Sequence, residues 1–233
     1  MTLDRTLAVL GLLVSVLGLL SVPRSDAGWA ALVVGLALLT YALYRLRQPA
    51  LRKLYVEFAY DLSRGRDIVA ARKCTVYKVN RKGISRLEAG GLTSTGEQTA
   101  FRSNLPGRLS ITKDEGGALR VVCDLENPLP SPSTIAWILA YDLMRSFVDA
   151  KEEVGFTCLG ECRQGALRVA FSPKQPPIEV WKVISRNAVP GSPEHARLSS
   201  HLPEIYWRFP NKQGLVYSIN WRWPNDEVPA TRA

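Results

Sequence analysis

Histidine is nearly absent: the chain has two in 233 residues, His195 and His201, both in the polar stretch Pro193–Pro203. A Gly-x-Ser-x-Gly elbow, a P-loop, a dinucleotide fingerprint and a His-Glu-x-x-His pair are all missing. The common carriers of serine-hydrolase, nucleotide-hydrolysing, dinucleotide-dependent and zinc-peptidase chemistry are therefore not present in the sequence. Asp142, Asp149, Glu152 and Glu153 lie on or just past a predicted helix, where solvated charge is the ordinary role of such residues rather than acid–base catalysis. No catalytic residue is assigned, and no enzyme is expected. Cysteine is scarce as well, with Cys74, Cys123, Cys158 and Cys162. Cys158 and Cys162 would need His195 and His201 to complete a zinc site, and the long spacing does not follow a structural-zinc pattern. Neither a metal nor a cofactor is expected. Cys123 falls on the apolar side of an alternating run and reads as a buried thiol. The chain has no internal repeat and no low-complexity tail.

Charge is missing from two long stretches. Thr6–Val22 carries none, and Gly28–Leu46 carries only Arg45. Each approaches the ~20 residues needed to cross a hydrocarbon layer of about 30 Å. The turn Pro23–Ala27 joins them. The pattern predicts a transmembrane hairpin with helices over about 6–22 and 28–46, forming a unit 1–54 with the basic stretch after it. Trp29, Tyr41 and Tyr44 fall where interfacial aromatics belong, and Arg45, Arg47, Arg52 and Lys53 where lipid headgroups would be met. The positive-inside bias then makes the partner a lipid bilayer and the protein a multi-pass inner-membrane one, with its soluble domain cytoplasmic, where thiols stay reduced. A signal peptide ending at Ala27 is the rival reading of the first run, and it leaves the domain on the same side. Gly11, Ser15 and Gly18 on one segment and Ala31 and Gly35 on the other allow close helix packing. Without further charge in either run, an ion pathway is not expected.

Beyond residue 54 the period changes to two. Leu109 and Ile111 alternate with polar neighbours, Asp114–Gly117 reads as a hairpin loop, and Leu119, Val121, Cys123 and Leu125 resume the alternation. Leu167–Phe171 and Leu215–Trp223 repeat it, and further strands are expected in Val69–Asn80, Val154–Cys158, Ile178–Ile184 and Glu204–Phe209. About eight short antiparallel strands over 55–233 predict a β-sandwich or small β-barrel. One helix, about 134–151, is expected from Ile135, Ile138, Leu139, Leu143 and Phe147 at three- and four-residue spacing. Asn187–Leu202 reads as a polar connection.

The formal charge is +9. Lys and Arg outnumber Asp and Glu by 16 to 7 in residues 1–110, and the two balance at 14 each in 111–233. Arg72, Lys73, Lys78, Arg81, Arg102 and Arg108 are the candidate anion-binding residues, because guanidinium and ammonium groups suit phosphate. Arg72 and Lys73 lie on opposite sides of a strand, so at most one of them faces a given pocket. Trp221 and Trp223 share a face with Leu215 and Ile219 and read as core.

Two apolar runs, a basic stretch and one β-rich domain together resemble the two-transmembrane, β-strand-rich effectors of bacterial antiphage signalling. The resemblance rests on Thr6–Val22, Gly28–Leu46 and the alternating strands. It implies a cyclic di- or oligonucleotide ligand, homo-oligomerisation and disruption of the inner membrane. No long nucleic acid is expected as a partner. The alternative is a non-enzymatic module that holds a protein partner through a strand edge or sheet face.

Overall fold

The structure, a computed structural model, describes residues 10–16, 26–92, 94, 96–113, 115, 117–158, 162–186, 194–198 and 202–224. It divides into two compact units, Met1–Ala50 and Leu51–Ala233.

The first unit is helical, with α1 (residues 10–16) and α2 (Asp26–Arg47). They meet through small residues. A β-carbon on Gly11 would lie 2.7 Å from the backbone nitrogen of Leu39, and one on Gly35 would overlap the backbone of Ser15. The Ser15 hydroxyl donates to the Gly11 carbonyl at 2.7 Å. Among the described residues, however, no helix is long and apolar enough to cross a membrane. Of the run Thr6–Val22, residues 6–9 and 17–22 lie outside the described residues, and α1 spans about 10 Å at 1.5 Å per residue. α2 takes Asp26 into its first turn and Arg45 and Arg47 into its last, and mixes Gly28, Trp29, Gly35, Thr40, Tyr41 and Tyr44 with its aliphatics. The expected transmembrane hairpin, and the multi-pass inner-membrane placement that followed from it, therefore do not hold. Arg52 and Lys53, expected beside lipid headgroups, lie instead in the first strand of the second unit.

That unit is mostly β. Its strands are β1 (Leu51–Leu62), β2 (Ile68–Val79), β3 (Arg86–Leu92), β4 (Glu97–Ser103), β5 (Gly107–Lys113), β6 (Leu119–Leu125), β7 (Ser133–Met144), β8 (Lys151–Thr157), β9 (Gln164–Phe171), β10 (Glu179–Arg186), β11 (Glu194–Leu198), β12 (Glu204–Pro210) and β13 (Leu215–Arg222). Three sheets result. A broad one has the order β12-β9-β1-β2-β7-β4, a four-stranded one β11-β10-β13-β8, and a three-stranded one β3-β6-β5. All pairings are antiparallel except β1 with β9. Among the described residues, thirteen strands in three sheets replace the expected eight or so in a β-sandwich or small barrel.

The broad sheet has one buried face. Val69, Ala71, Thr75, Tyr77 and Val79 of β2 point to it, and by register so do Val56, Phe58, Tyr60 and Leu62 of β1 and Trp137, Leu139, Tyr141 and Leu143 of β7. Both narrow sheets pack on this face. On the four-stranded side, Phe58 meets Phe156, Phe171 meets Trp221 and Phe209 stacks on Tyr217 at 4.0 Å. Trp221 and Trp223 are both buried there. On the three-stranded side, the Trp137 indole donates to Ser103 Oγ at 3.1 Å beside the buried Cys123.

The helix expected over 134–151 is a strand through Met144. Trp137, Leu139, Tyr141 and Leu143 are buried with period two, and Ala136, Ile138 and Ala140 occupy the other face. A strand apolar on both faces contains three- and four-residue spacings by default, and those suggested a helix.

Candidate functional site

The inner face of the broad sheet holds a cleft of about 760 Å³. Lys53, Val56 and Phe58 of β1 and Lys73, Thr75 and Tyr77 of β2 line its floor, since register places all of them on the inner face. Arg86, Glu88 and Gly90 of β3 line it from the three-stranded sheet, and Gly155, Phe156 and Thr157 of β8 from the four-stranded one. Among the described residues β3 pairs only with β6, and β8 only with β13. Two sheet edges therefore border the cleft, and an edge presents backbone N–H and C=O groups that no ladder uses.

Two β-bulges shape the site. The register of β1 against β2 slips between Lys53 and Tyr55. Strict alternation back from Val56 would turn Leu54 and Arg52 inward. The slip instead brings Lys53 opposite Tyr77, on the inner face. A bulge re-aims side chains in just this way. On β3 the register slips between Ala89 and Leu92, at Gly90 and Gly91. The Gly90 carbonyl accepts a hydrogen bond from Lys73 Nζ at 3.2 Å, and the same ammonium lies 5.0 Å from the centre of the Phe58 ring. Glu88 supplies the carboxylate among the lining residues and pairs with Arg120 at 3.0 Å, while Arg86 pairs with Asp124 at 3.6 Å. Among the described residues, the charged side chains of the floor are Lys53 and Lys73.

Of the anion-binding candidates selected from sequence, Lys73 alone lines this cleft, joined by Lys53, which the sequence reading places at a lipid interface. Arg72 projects from the opposite face and pairs with Glu57 at 3.7 Å. Lys78 shares that outer face and is exposed, and Arg81 lies in the loop after β2. Arg102 pairs with Asp142 at 3.3 Å beside a second hollow of about 520 Å³, which Asp61, Arg64 and Asp67 also line. Arg108 lies on β5, at the far edge of the three-stranded sheet. Trp29, Tyr41 and Tyr44 are exposed on α2, which also carries Arg45 and Arg47. The residue that the sequence reading missed for this site is Lys53. Its signal is the alternation Val56, Phe58, Tyr60, Leu62, which marks β1 as a strand and falls out of phase just before Tyr55.

No protein-family model matches the chain, and neither does any curated protein. Among solved structures it is similar to an M1 zinc metallopeptidase from Deinococcus radiodurans, with 11% identity and a TM-score of 0.39, over 74% of this chain and 42% of that one. A two-domain M1 zinc metallopeptidase mutant bound to L-tryptophan is similar at 11% identity and a TM-score of 0.39, over 74% and 43%. The chain spans less than half the length of these structures, and a likeness this distant carries no argument about function.

Among the described residues no three His, Cys, Asp or Glu side chains gather as a metal site. His201 and the side chain of His195 lie outside those residues, so the cysteine–histidine arrangement weighed above is not described. Burial pushes the Cys158 thiol up to about 11, and the neighbouring Cys162 adds to the shift. On the outer face, Tyr55 donates to Glu57 at 2.7 Å and lies 3.0 Å from the Tyr206 hydroxyl. Burial and these two partners hold its phenol well above the usual range.

Proposed function

We propose that the β unit is a recognition module that binds an anionic ligand in the cleft, without chemical turnover. One observation carries this reading: Lys53 and Lys73, on adjacent strands, both project from the buried face of the broad sheet into a recess, where solvent alone would be the ordinary destination of a lysine. Ammonium groups held in a recess act in a lower dielectric than at an open surface, so a matching anion gains more from them. Cyclic di- and oligonucleotides, the ligand class implied by the sequence resemblance, carry suitable charge, and so do acidic peptides.

The test is thermal denaturation of the whole chain against a panel of cyclic di- and trinucleotides and acidic peptides. A ligand at one hundred times its Kd stabilises the folded state by about 2.7 kcal/mol, a clear rise in melting temperature. Lys53→Glu and Lys73→Glu are each expected to weaken binding at least tenfold, whereas Lys78→Glu, on the outer face, leaves it unchanged. A panel with no shift, or a K78E effect equal to those of K53E and K73E, overturns the reading.

A further inference from the structure

The cleft is bordered by strand edges, and its aromatic rings are not open to a planar ligand. Tyr77 is 2% exposed and Phe156 6%, and Phe58 has the Lys73 ammonium near its ring. A nucleobase held at a protein surface commonly stacks on an aromatic face, and no such face is offered here. What the cleft does offer is backbone. β8 runs in unbroken register against β13 over Lys151–Thr157, and its other edge, unpaired among the described residues, is a regular template for one more strand that reaches the cleft at Gly155–Thr157. The opposite edge, β3, is interrupted by its bulge at Gly90 and Gly91, a feature that discourages strand pairing.

Resting on the anionic-ligand reading, we infer that the ligand is an extended acidic segment of a partner chain, which adds to β8 as a strand and sets carboxylates over Lys53 and Lys73. A strand joined to β8 lies in the layer of the narrow sheets, so every second side chain faces the floor. The two lysines stand at the levels of Tyr77 and residue 73 on β2, four residues or about 13 Å apart along the strand. Acidic residues at i and i+4 of the segment match that separation. The inward position between them lies over Val56 and Thr75, which are as closed as the rings at 6% and 2% exposed, so only a small side chain fits there. Main-chain hydrogen bonds supply affinity, and the two ammonium groups supply register and selectivity.

The experiment uses the whole chain and a labelled, end-blocked nine-residue peptide of threonines, with glutamate at the third and seventh positions and valine at the fifth. Binding is read by fluorescence anisotropy. Saturable binding is expected. Replacing both glutamates by glutamine should weaken it at least tenfold, and so should N-methylating one of the two alternate sets of peptide amides, because methylation removes the donors that a β8 pairing needs. K53E and K73E should each cost tenfold or more, with Lys53→Met and Lys73→Met, checked by near-ultraviolet circular dichroism, as versions that retain the packing of the stem. Binding of a cyclic nucleotide that depends on both lysines, with no peptide binding or with binding insensitive to methylation, overturns the strand inference and leaves the anionic-ligand reading standing. Failure of every anion to bind overturns both.

Discussion

Glu152 is a carboxylate built into the core side of β8, only 8% exposed, with Trp221 as its cross-strand neighbour. Burial lifts its carboxyl from about 4.5 to about 7. The Asp149 N–H, donating at 2.6 Å, pulls it partly back, the Asp149 charge raises it, and Arg66 lowers it. Between those two values the folded chain holds a proton that the unfolded chain has released, so stability falls as pH rises from about 4.5 to about 7 and stays low above it. The full effect is at most about 3 kcal/mol. Glu152→Gln keeps an acceptor for the Asp149 N–H and removes the titration. Its melting temperature should exceed that of the wild type at pH 8 by several degrees, and the gap should close toward pH 5. Parallel melting curves across that range would show that Glu152 does not titrate this way. Gly165 is a second decisive residue. A β-carbon there would sit 2.5 Å from Cε2 of Phe209 and 3.2 Å from Cζ of Phe156, and Phe209 is itself stacked on Tyr217. Gly165→Ala should cost about 1–3 kcal/mol, measured by urea denaturation, because the ring has nowhere easy to go.

At the scale of the element, β7 shows where periodicity misleads. Ile135, Ile138, Leu139, Leu143 and Phe147 fit a helical face, yet Ile138 and Leu139 point to opposite sides of a strand whose partners are β2 and β4. Long-range pairing decided the outcome, and no local propensity opposed it, since Ile, Trp, Tyr and Thr favour strands. The two assignments predict different mutants. In the strand, Leu139→Ala empties a core site and should cost about 2–5 kcal/mol, whereas Ile138→Ala, on the half-covered face, should cost under about 1 kcal/mol. Near-equal losses in chemical denaturation would favour the helical face. β1 was passed over for another reason: it follows two apolar runs, so its Arg52 and Lys53 looked like membrane flanks, and the bulge at Lys53 broke the phase of an alternation that is otherwise plain from Val56 to Leu62. Even so, Lys73 was legible as a candidate, because a lysine on an alternating strand must face one side or the other. The cleft was not legible. Its borders are the edges of two sheets, and an edge exists only once every strand has chosen its neighbours. β11, within the stretch read as a polar connection, pairs with β10 and offers no apolar alternation to read.

For the molecule as a whole, the question is whether three sheets make one cooperative structure. The buried residues form one connected cluster that runs from Leu87, Val121 and Cys123 under the three-stranded sheet, through Val69, Ala71 and Leu139 of the broad sheet, to Ile219, Trp221 and Trp223 under the four-stranded one. The broad sheet is shared, so neither narrow sheet can leave without exposing part of the same apolar face. A cleft between the two covers does not divide the core, because its floor is the sheet that joins them. Domains with one continuous core unfold in a single step as a rule. The tryptophans divide usefully for a test, since Trp137 sits under the three-stranded sheet and Trp181, Trp207, Trp221 and Trp223 belong to the four-stranded sheet or pack against it. In Trp137→Phe the fluorescence reports only the second group within the β unit, while far-ultraviolet circular dichroism reports strands throughout. The two signals should give the same urea midpoint, within error, in that variant. A fluorescence midpoint displaced from the dichroism midpoint would mean that the two covers melt separately, and the cleft would then be a hinge between subunits of stability rather than a rigid slot.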